Sequence, residues 1–146
     1  MNRVSPADLA DVREFLTEAD LTLAGLSSAS LWVDRDSDGH ITATTGFELV
    51  GQHALIRSVA VRPDLRGTGI GLRFAALACV EAQLAGATTA WLFSRRSGVF
   101  WQKLGFAPAS TDDLVAALGS TSQVQLFATT GQLAREVAWR RELVEH

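Results

Sequence analysis

The sequence predicts an α+β (mixed α/β) fold with a central mixed twisted sheet flanked by helices. Three observations lead there. Short runs rich in β-branched and aromatic residues recur at 31–34, 41–50, 54–61 and 90–93. A longer segment, about Gly69 to Ala85, carries apolar residues at helical spacing. The 146 residues are 47% hydrophobic and 20% charged, the balance of a folded globule and a length suited to a single domain spanning 1–146.

Taken in order, Ser5-Pro6 reads as an N-cap and first-turn proline, and residues 7–19 as an amphipathic helix with Leu9, Val12, Phe15 and Leu16 inward. Leu31 to Asp34 is a short strand, and Asp36-Ser37-Asp38-Gly39 is turn chemistry. Ile41 to Val50 and Ala54 to Val61 are strands broken by Gly51-Gln52, and Pro63 stops the second. The helix from about Gly69 places Phe74, Leu77, Val80 and Leu84 at helical spacing, with Gly86 at a left-handed C-cap. A buried strand, Ala90 to Phe93, precedes a helix over 99–104 and a strand-like 105–109. Asp112 to Leu118 reads as helix, Ser120 as a cap for a turn running to Phe127. Residues 134–143 fit helix or strand, and the Val137/Trp139 alternation suits a closing strand.

The formal charge of −3 and the scattered arginines argue against nucleic-acid binding, which needs a concentrated basic field. The one cysteine, Cys79, rules out an internal disulfide and a cysteine-rich zinc site. His40, His53 and His146 form no ligand motif, so no metal is expected. No apolar run approaches the roughly 18–20 residues of a membrane helix, and the first 20 residues lack a signal-peptide core. A cytoplasmic location is expected.

The most informative stretch is Val59-Ala60-Val61-Arg62-Pro63-Asp64-Leu65-Arg66-Gly67-Thr68-Gly69-Ile70-Gly71. A strand runs into a turn with glycines at alternate positions, where backbone N–H groups converge. The helix opening there adds its unpaired N–H groups and positive dipole end, and Arg66 a formal charge: a site for a pyrophosphate. The glycine spacing matches neither a Walker A loop nor the dinucleotide GxGxxG fingerprint. The pattern Arg-x-x-Gly-x-Gly, carried by Arg66, Gly69 and Gly71, resembles the acetyl-CoA signature of the GNAT superfamily. Ser94 to Phe106 resembles that superfamily's later motif, Asn-x-x-Ala-x-x-x-Tyr-x-x-x-Gly-Phe, and the resemblance covers roughly residues 31–109.

The resemblance implies an acetyl-CoA-dependent N-acetyltransferase. The main chain of Val59, Ala60 and Val61 would pair with the pantetheine arm, and the N–H groups of Arg66, Gly67, Thr68, Gly69, Ile70 and Gly71 would meet the pyrophosphate. Trp101 stands where many of these enzymes have a tyrosine that protonates the leaving thiolate, and this chain has no tyrosine. An indole N–H has no usable acidic proton near neutral pH, so Trp101 is expected to pack against the cofactor instead.

Glu48, between Phe47 and Leu49, and Arg57, within Leu55-Ile56-Arg57-Ser58-Val59, are charges inside apolar strands. Acetylating an amine needs a base for the ammonium proton, and Glu48 is the candidate. With Gly51-Gln52 as a two-residue turn, Val50 faces His53, Glu48 faces Leu55 and Gly46 faces Arg57. Glu48 and Arg57 then share a face as diagonal neighbours about 7–8 Å apart. Gly46 would leave room for the guanidinium. The alternative to a catalytic pair is a buried structural salt bridge. The strand resembles that of short amino-acid N-acetyltransferases of the N-acetylglutamate synthase type and of arsenic-resistance-associated acetyltransferases. There the strand arginine pairs with a substrate carboxylate, which would give Arg57 that role. Ser120, Thr121 and Gln123 are looser candidates for lining the pocket.

The leading expectation is acetylation of a small, amino-acid-like amine. A protein or peptide N-acetyltransferase, which needs an open groove beside the segment Leu21 to Ser30, and a non-catalytic acyl-CoA-binding module stand as alternatives. Homodimerisation through an exposed sheet edge is left open.

Overall fold

The computed structural model describes residues 2–143, so His146 lies outside the described residues. Seven strands form one sheet: β1 (Asn2–Arg3), β2 (Ser30–Arg35), β3 (Ile41–Val50), β4 (His53–Val61), β5 (Thr89–Phe93), β6 (Ala107–Ala109) and β7 (Ala138–Glu142). Their spatial order is β1-β2-β3-β4-β5-β7-β6. Among the described residues only β4 and β5 pair in parallel, so the sheet is mixed, as the sequence predicts. The helices are α1 (Leu9–Glu18), α2 (Ile70–Leu84), α3 (Gly98–Gln102), α4 (Thr111–Leu118) and α5 (Ser122–Thr130). Among the described residues no helix is long and apolar enough to cross a membrane.

Each face of the sheet has its own cover. On one, α2 lies over β3 and β4, where Phe47, Ala54 and Ile56 meet Ala75, Ala78, Cys79 and Ala82; Trp101, Phe106 and Trp139 extend this core. On the other, Val12 and Leu16 of α1 pack on Leu31, Val33 and Ile41. Leu114 and Leu118 of α4 and Val124 of α5 pack on Leu55 and Trp91.

The start of α1 is tighter than expected. Residues Pro6–Asp8 form a 3-10 turn, closed by the Asp8 carboxylate accepting the N–H and Oγ–H of Ser5 at 2.8 and 2.9 Å. The inward face of α2 also differs from the apolar spacing. Val80 is 53% and Leu84 76% exposed, while the buried stripe is Phe74, Ala75, Ala78, Cys79 and Ala82. Small alanines let the helix sit close to the sheet, and the larger residues project outward. Gly86 ends α2 at φ 105, with the Ala87 N–H bonded to the Ala82 carbonyl, the expected left-handed cap. Thr121, not Ser120, caps α5: its Oγ1 accepts the Val124 N–H. The undecided tail becomes a 3-10 turn, Gln132–Arg135, and then β7, which inserts between β5 and β6. The two-residue strand β1 has no signal in its sequence.

Candidate active site

Two features of β4 build the site. The first is where it leaves its neighbour. Pairing with β5 ends at Leu55–Trp91, yet β4 continues to Val61 and β5 to Phe93. The parallel strands therefore part, and the edge of β4 from Ile56 onward loses its β5 partner. The second is a bulge. Thr44 pairs with Ala60 and Gly46 with Arg57, so Thr45 alone opposes both Ser58 and Val59. Ser58 takes φ 60, left-handed backbone that costs an L-residue about 1–2 kcal/mol.

Beyond Val61 a 3-10 turn, Pro63–Leu65, leads to the glycines. Gly67 and Gly69 have φ 82 and 87, and a Cβ at either would meet nothing within 4 Å. The N–H groups from Gly67 to Leu72 find no partner among the described residues. The Arg66 N–H departs from expectation, being used by the Pro63 carbonyl at 3.3 Å. Gly71 sits where a Cβ would touch Phe100 and Val61 at 3.5 Å, so the first turn of α2 is close to both α3 and β4. Arg66 is exposed and pairs with no carboxylate among the described residues. The result is an open concavity of backbone donors beside a free cation, at the mouth of the strand parting, which suits a polyphosphate. A cavity of about 640 Å³ adjoins it at the end of β5, lined by Ser94, Arg96, Ser97, Val99, Phe100 and Trp139. A cleft of about 700 Å³ lies over β6 and β7, lined by Trp91, Ala107, Ala109, Asp113, Arg140 and Glu142, away from these groups.

The hairpin register is as the sequence predicts: Val50–His53, Glu48–Leu55 and Gly46–Arg57. Glu48 and Arg57 consequently meet, Arg57 Nη1 to Glu48 Oε2 at 3.1 Å, with the arginine side chain wholly buried. Their other bonds decide their character. Arg57 Nη1 also donates to the Ala24 carbonyl, Nη2 to the Thr22 carbonyl at 3.3 Å, and Nε to Ser58 Oγ at 3.1 Å. Glu48 Oε1 accepts the Ser122 N–H at 2.9 Å and Oε2 the Gln123 N–H at 3.4 Å, so the carboxylate also caps α5. Burial pushes the guanidinium below the ordinary arginine range, and Glu48 acts against that shift. Of the two roles left open by the sequence, this geometry favours the structural ion pair. Arg57 has little left for a substrate carboxylate, and three donors occupy most of Glu48's acceptor capacity. The reason for Gly46 is also different: a Cβ there would lie 2.5 Å from Leu31 Cδ2 and the Ser30 carbonyl oxygen, so strand β2 requires the glycine rather than Arg57.

The ion pair joins distant parts of the chain near the β4 bulge. It ties the Thr22–Ala24 segment and the start of α5 to β3 and β4, and Gly25 packs so tightly that a Cβ would fall 2.2 Å from Ser122 Oγ. Beside it the Gln123 Oε1 atom is buried without a hydrogen-bond partner among the described residues. Trp101 is placed in the core, with its ring edge-on to Phe100 and Phe106 at 5.0 and 5.4 Å. Cys79 is a packed thiol. Asp36, Asp38 and His40 bring three ligand-type atoms within 4.8 Å of one another, but Asp36 is committed to Arg62 and to the turn's own N–H groups. The bulge at Ser58 is the site feature that sequence reasoning missed; the paired lengths of β3 and β4 carry no local mark of an extra residue.

Residues 5–106 match the model of the acetyltransferase (GNAT) family. The chain belongs to that family. Its reaction class is acetyl-CoA-dependent acyl transfer. No curated protein matches it. Among solved structures, this GNAT chain is similar in fold to Rv2747 from Mycobacterium tuberculosis, solved with CoA, at TM-score 0.77 and 16% identity, covering 98% of each chain. It is also similar to N-acetylglutamate synthase from Neisseria gonorrhoeae, solved with coenzyme A and N-acetyl-glutamate, at TM-score 0.71 and 18% identity. That match covers 99% of this chain and 35% of the synthase. A third GNAT-fold neighbour is the ribosomal-protein-S18-alanine N-acetyltransferase of Escherichia coli, at TM-score 0.64 and 16% identity, covering 99% and 94%. At these identities the likeness is one of fold.

Proposed function

We propose that this GNAT protein moves the acetyl group of acetyl-CoA onto the amine of a small, amino-acid-like molecule. The observation that carries the acyl-CoA side is the partner-free N–H groups of Gly67 to Leu72 at the mouth of the β4/β5 parting. They and Arg66 would hold the pyrophosphate, and the exposed edge of β4 at Val59, Ala60 and Val61 would hydrogen-bond the pantetheine arm. Bound acetyl-CoA supplies the thioester. Trp101 supports the site from behind by fixing α3, on which Phe100 faces the first turn of α2.

A small acceptor is supported by the closure of the opposite end. A protein or peptide substrate needs an open groove where Gly25 meets Ser122 and where Arg57 holds the Thr22 and Ala24 carbonyls. The unpaired Gln123 Oε1 suits an N–H of the amine. The amino-acid class rests on the wording of β4, similar to the N-acetylglutamate synthase type and the arsenic-resistance-associated branch, and on the fold shared with the Neisseria synthase.

The test is release of free CoA thiol from acetyl-CoA in the presence of α-amino acids, phosphinic and arsenical glutamate analogues, polyamines, aminoglycosides and short peptides. Turnover confined to α-amino acids or their analogues is expected. Turnover with peptides alone would sink the small-acceptor reading, and binding of acetyl-CoA without turnover would favour a binding module.

A further inference from the structure

Acetyl transfer from a thioester to an amine leaves one proton to be moved: nitrogen loses it and sulfur gains it. The chain has no tyrosine. The Trp101 ring is buried against Phe100 and Phe106, and Cys79 is buried beneath α2, its thiol pushed up by desolvation. Glu48 is occupied by Arg57 and two helix N–H groups.

Ser58 is placed differently. It sits at the β4 bulge, three residues past the last β5 pairing at Leu55, and is only 6% exposed. Its φ of 60 is a conformation that glycine adopts far more readily, and strain of this kind persists where surrounding contacts impose it. Thr44 Oγ1 donates to its carbonyl at 2.7 Å and holds the backbone. Its Oγ accepts the Nε–H of the buried Arg57, so the hydroxyl proton is left to donate, and no acceptor for it occurs among the described residues. The acyl-transfer reading above, on which this inference rests, also sets a direction. With phosphates at Gly67–Gly71 and the arm running back along Val61 to Val59, the thioester end arrives at Ser58.

We propose that Ser58 is the proton relay of the reaction. Its Oγ–H passes a proton to the departing CoA sulfur while Oγ takes one from the attacking nitrogen. The C–N bond forms, the C–S bond breaks, and the serine ends as it began with no further reactant consumed. The Arg57 Nε–H fixes the oxygen and steadies the negative charge that grows on it during the exchange.

Ser58→Gly relieves the backbone strain while deleting the hydroxyl, and Ser58→Ala keeps the strain, so the two separate folding from chemistry. Thermal melts establish that each variant is folded. In both, kcat is expected to fall about 100-fold or more, with KM for the acceptor amine within about twofold. A readout without turnover accompanies this: affinity for CoA falls roughly three- to tenfold, the worth of one hydrogen bond, while affinity for 3′,5′-ADP, which lacks the thiol arm, is unchanged. A folded variant with kcat within about threefold of wild type overturns the proposal. Loss of activity on Ser94→Ala alone, with Ser58→Gly near wild type, would place the relay just past the end of β5 instead. If the unaltered protein binds acetyl-CoA but releases no thiol with any amine or with water, the relay falls together with the reading beneath it.

Discussion

At the residue scale, the Glu48–Arg57 pair shows how burial converts two charges into a junction. Arg57 donates to a carboxylate, to two loop carbonyls and to a serine, and Glu48 returns the contact by capping α5. Removing one partner leaves the other buried and unmatched, so Arg57→Ala should cost about 3–5 kcal/mol in chemical denaturation. Glu48→Gln keeps the shape and one carbonyl acceptor, and should cost less, about 1–3 kcal/mol. An equal loss of kcat with undiminished stability in Glu48→Gln would instead return the carboxylate to a catalytic role. Gly69 makes a second residue-scale case. Its left-handed φ of 87 is strained for any L-residue, yet open space awaits a Cβ. Gly69→Ala should cost about 1 kcal/mol of stability and weaken acetyl-CoA binding, both measurable by thermal shift with and without ligand.

At the element scale, α2 presents two faces that the apolar pattern alone does not rank. Ala78 is fully buried against the sheet whereas Leu84 faces solvent. Ala78→Leu should overpack the interface and cost about 1–3 kcal/mol, and Leu84→Lys should stay within about 0.5 kcal/mol of the parent. Equal effects of the two would contradict the orientation of the helix. Cys79 on the buried face adds a pH dependence. Desolvation raises its thiol above the ordinary range, with Arg141 acting against the shift. The unfolded chain then loses this proton first. Stability contributed by the neutral thiol is therefore complete below the unfolded value near 8.5 and declines as pH rises above it. Melts between pH 7 and 10 should show that decline in the parent and a shallower one in Cys79→Ala.

At the scale of the whole molecule, the site exists because distant parts of the chain converge on β4: the glycine turn at one end of its free edge, the 22–25 segment and the start of α5 at the other. Gly25→Ala tests that convergence. A methyl at 2.2 Å from Ser122 Oγ cannot be accommodated without moving the segment or α5, so the cost should be about 1–3 kcal/mol in a denaturant melt. A neutral result would mean that the two segments are not held together. Much of this architecture was legible beforehand. The β3–β4 register followed from two turn residues, because side chains alternate and one turn length permits one pairing. The glycine turn that opens α2 followed from glycines whose spacing suits a tight turn into a helix. The caps at Ser5 and Gly86 are local chemistry too. Other features had no local signature. The parting of β4 from β5, the bulge that turns Ser58, the insertion of β7 between β5 and β6, and the buried stripe of α2 all depend on which surfaces meet. So does the meaning of Glu48 and Arg57: the sequence put them side by side, but the carbonyls of Thr22 and Ala24 and the N–H groups of Ser122 and Gln123 arrive through folding. Short-range geometry and turn chemistry are written in neighbouring residues, whereas the satisfaction of a buried charge is decided by whatever the tertiary structure brings against it.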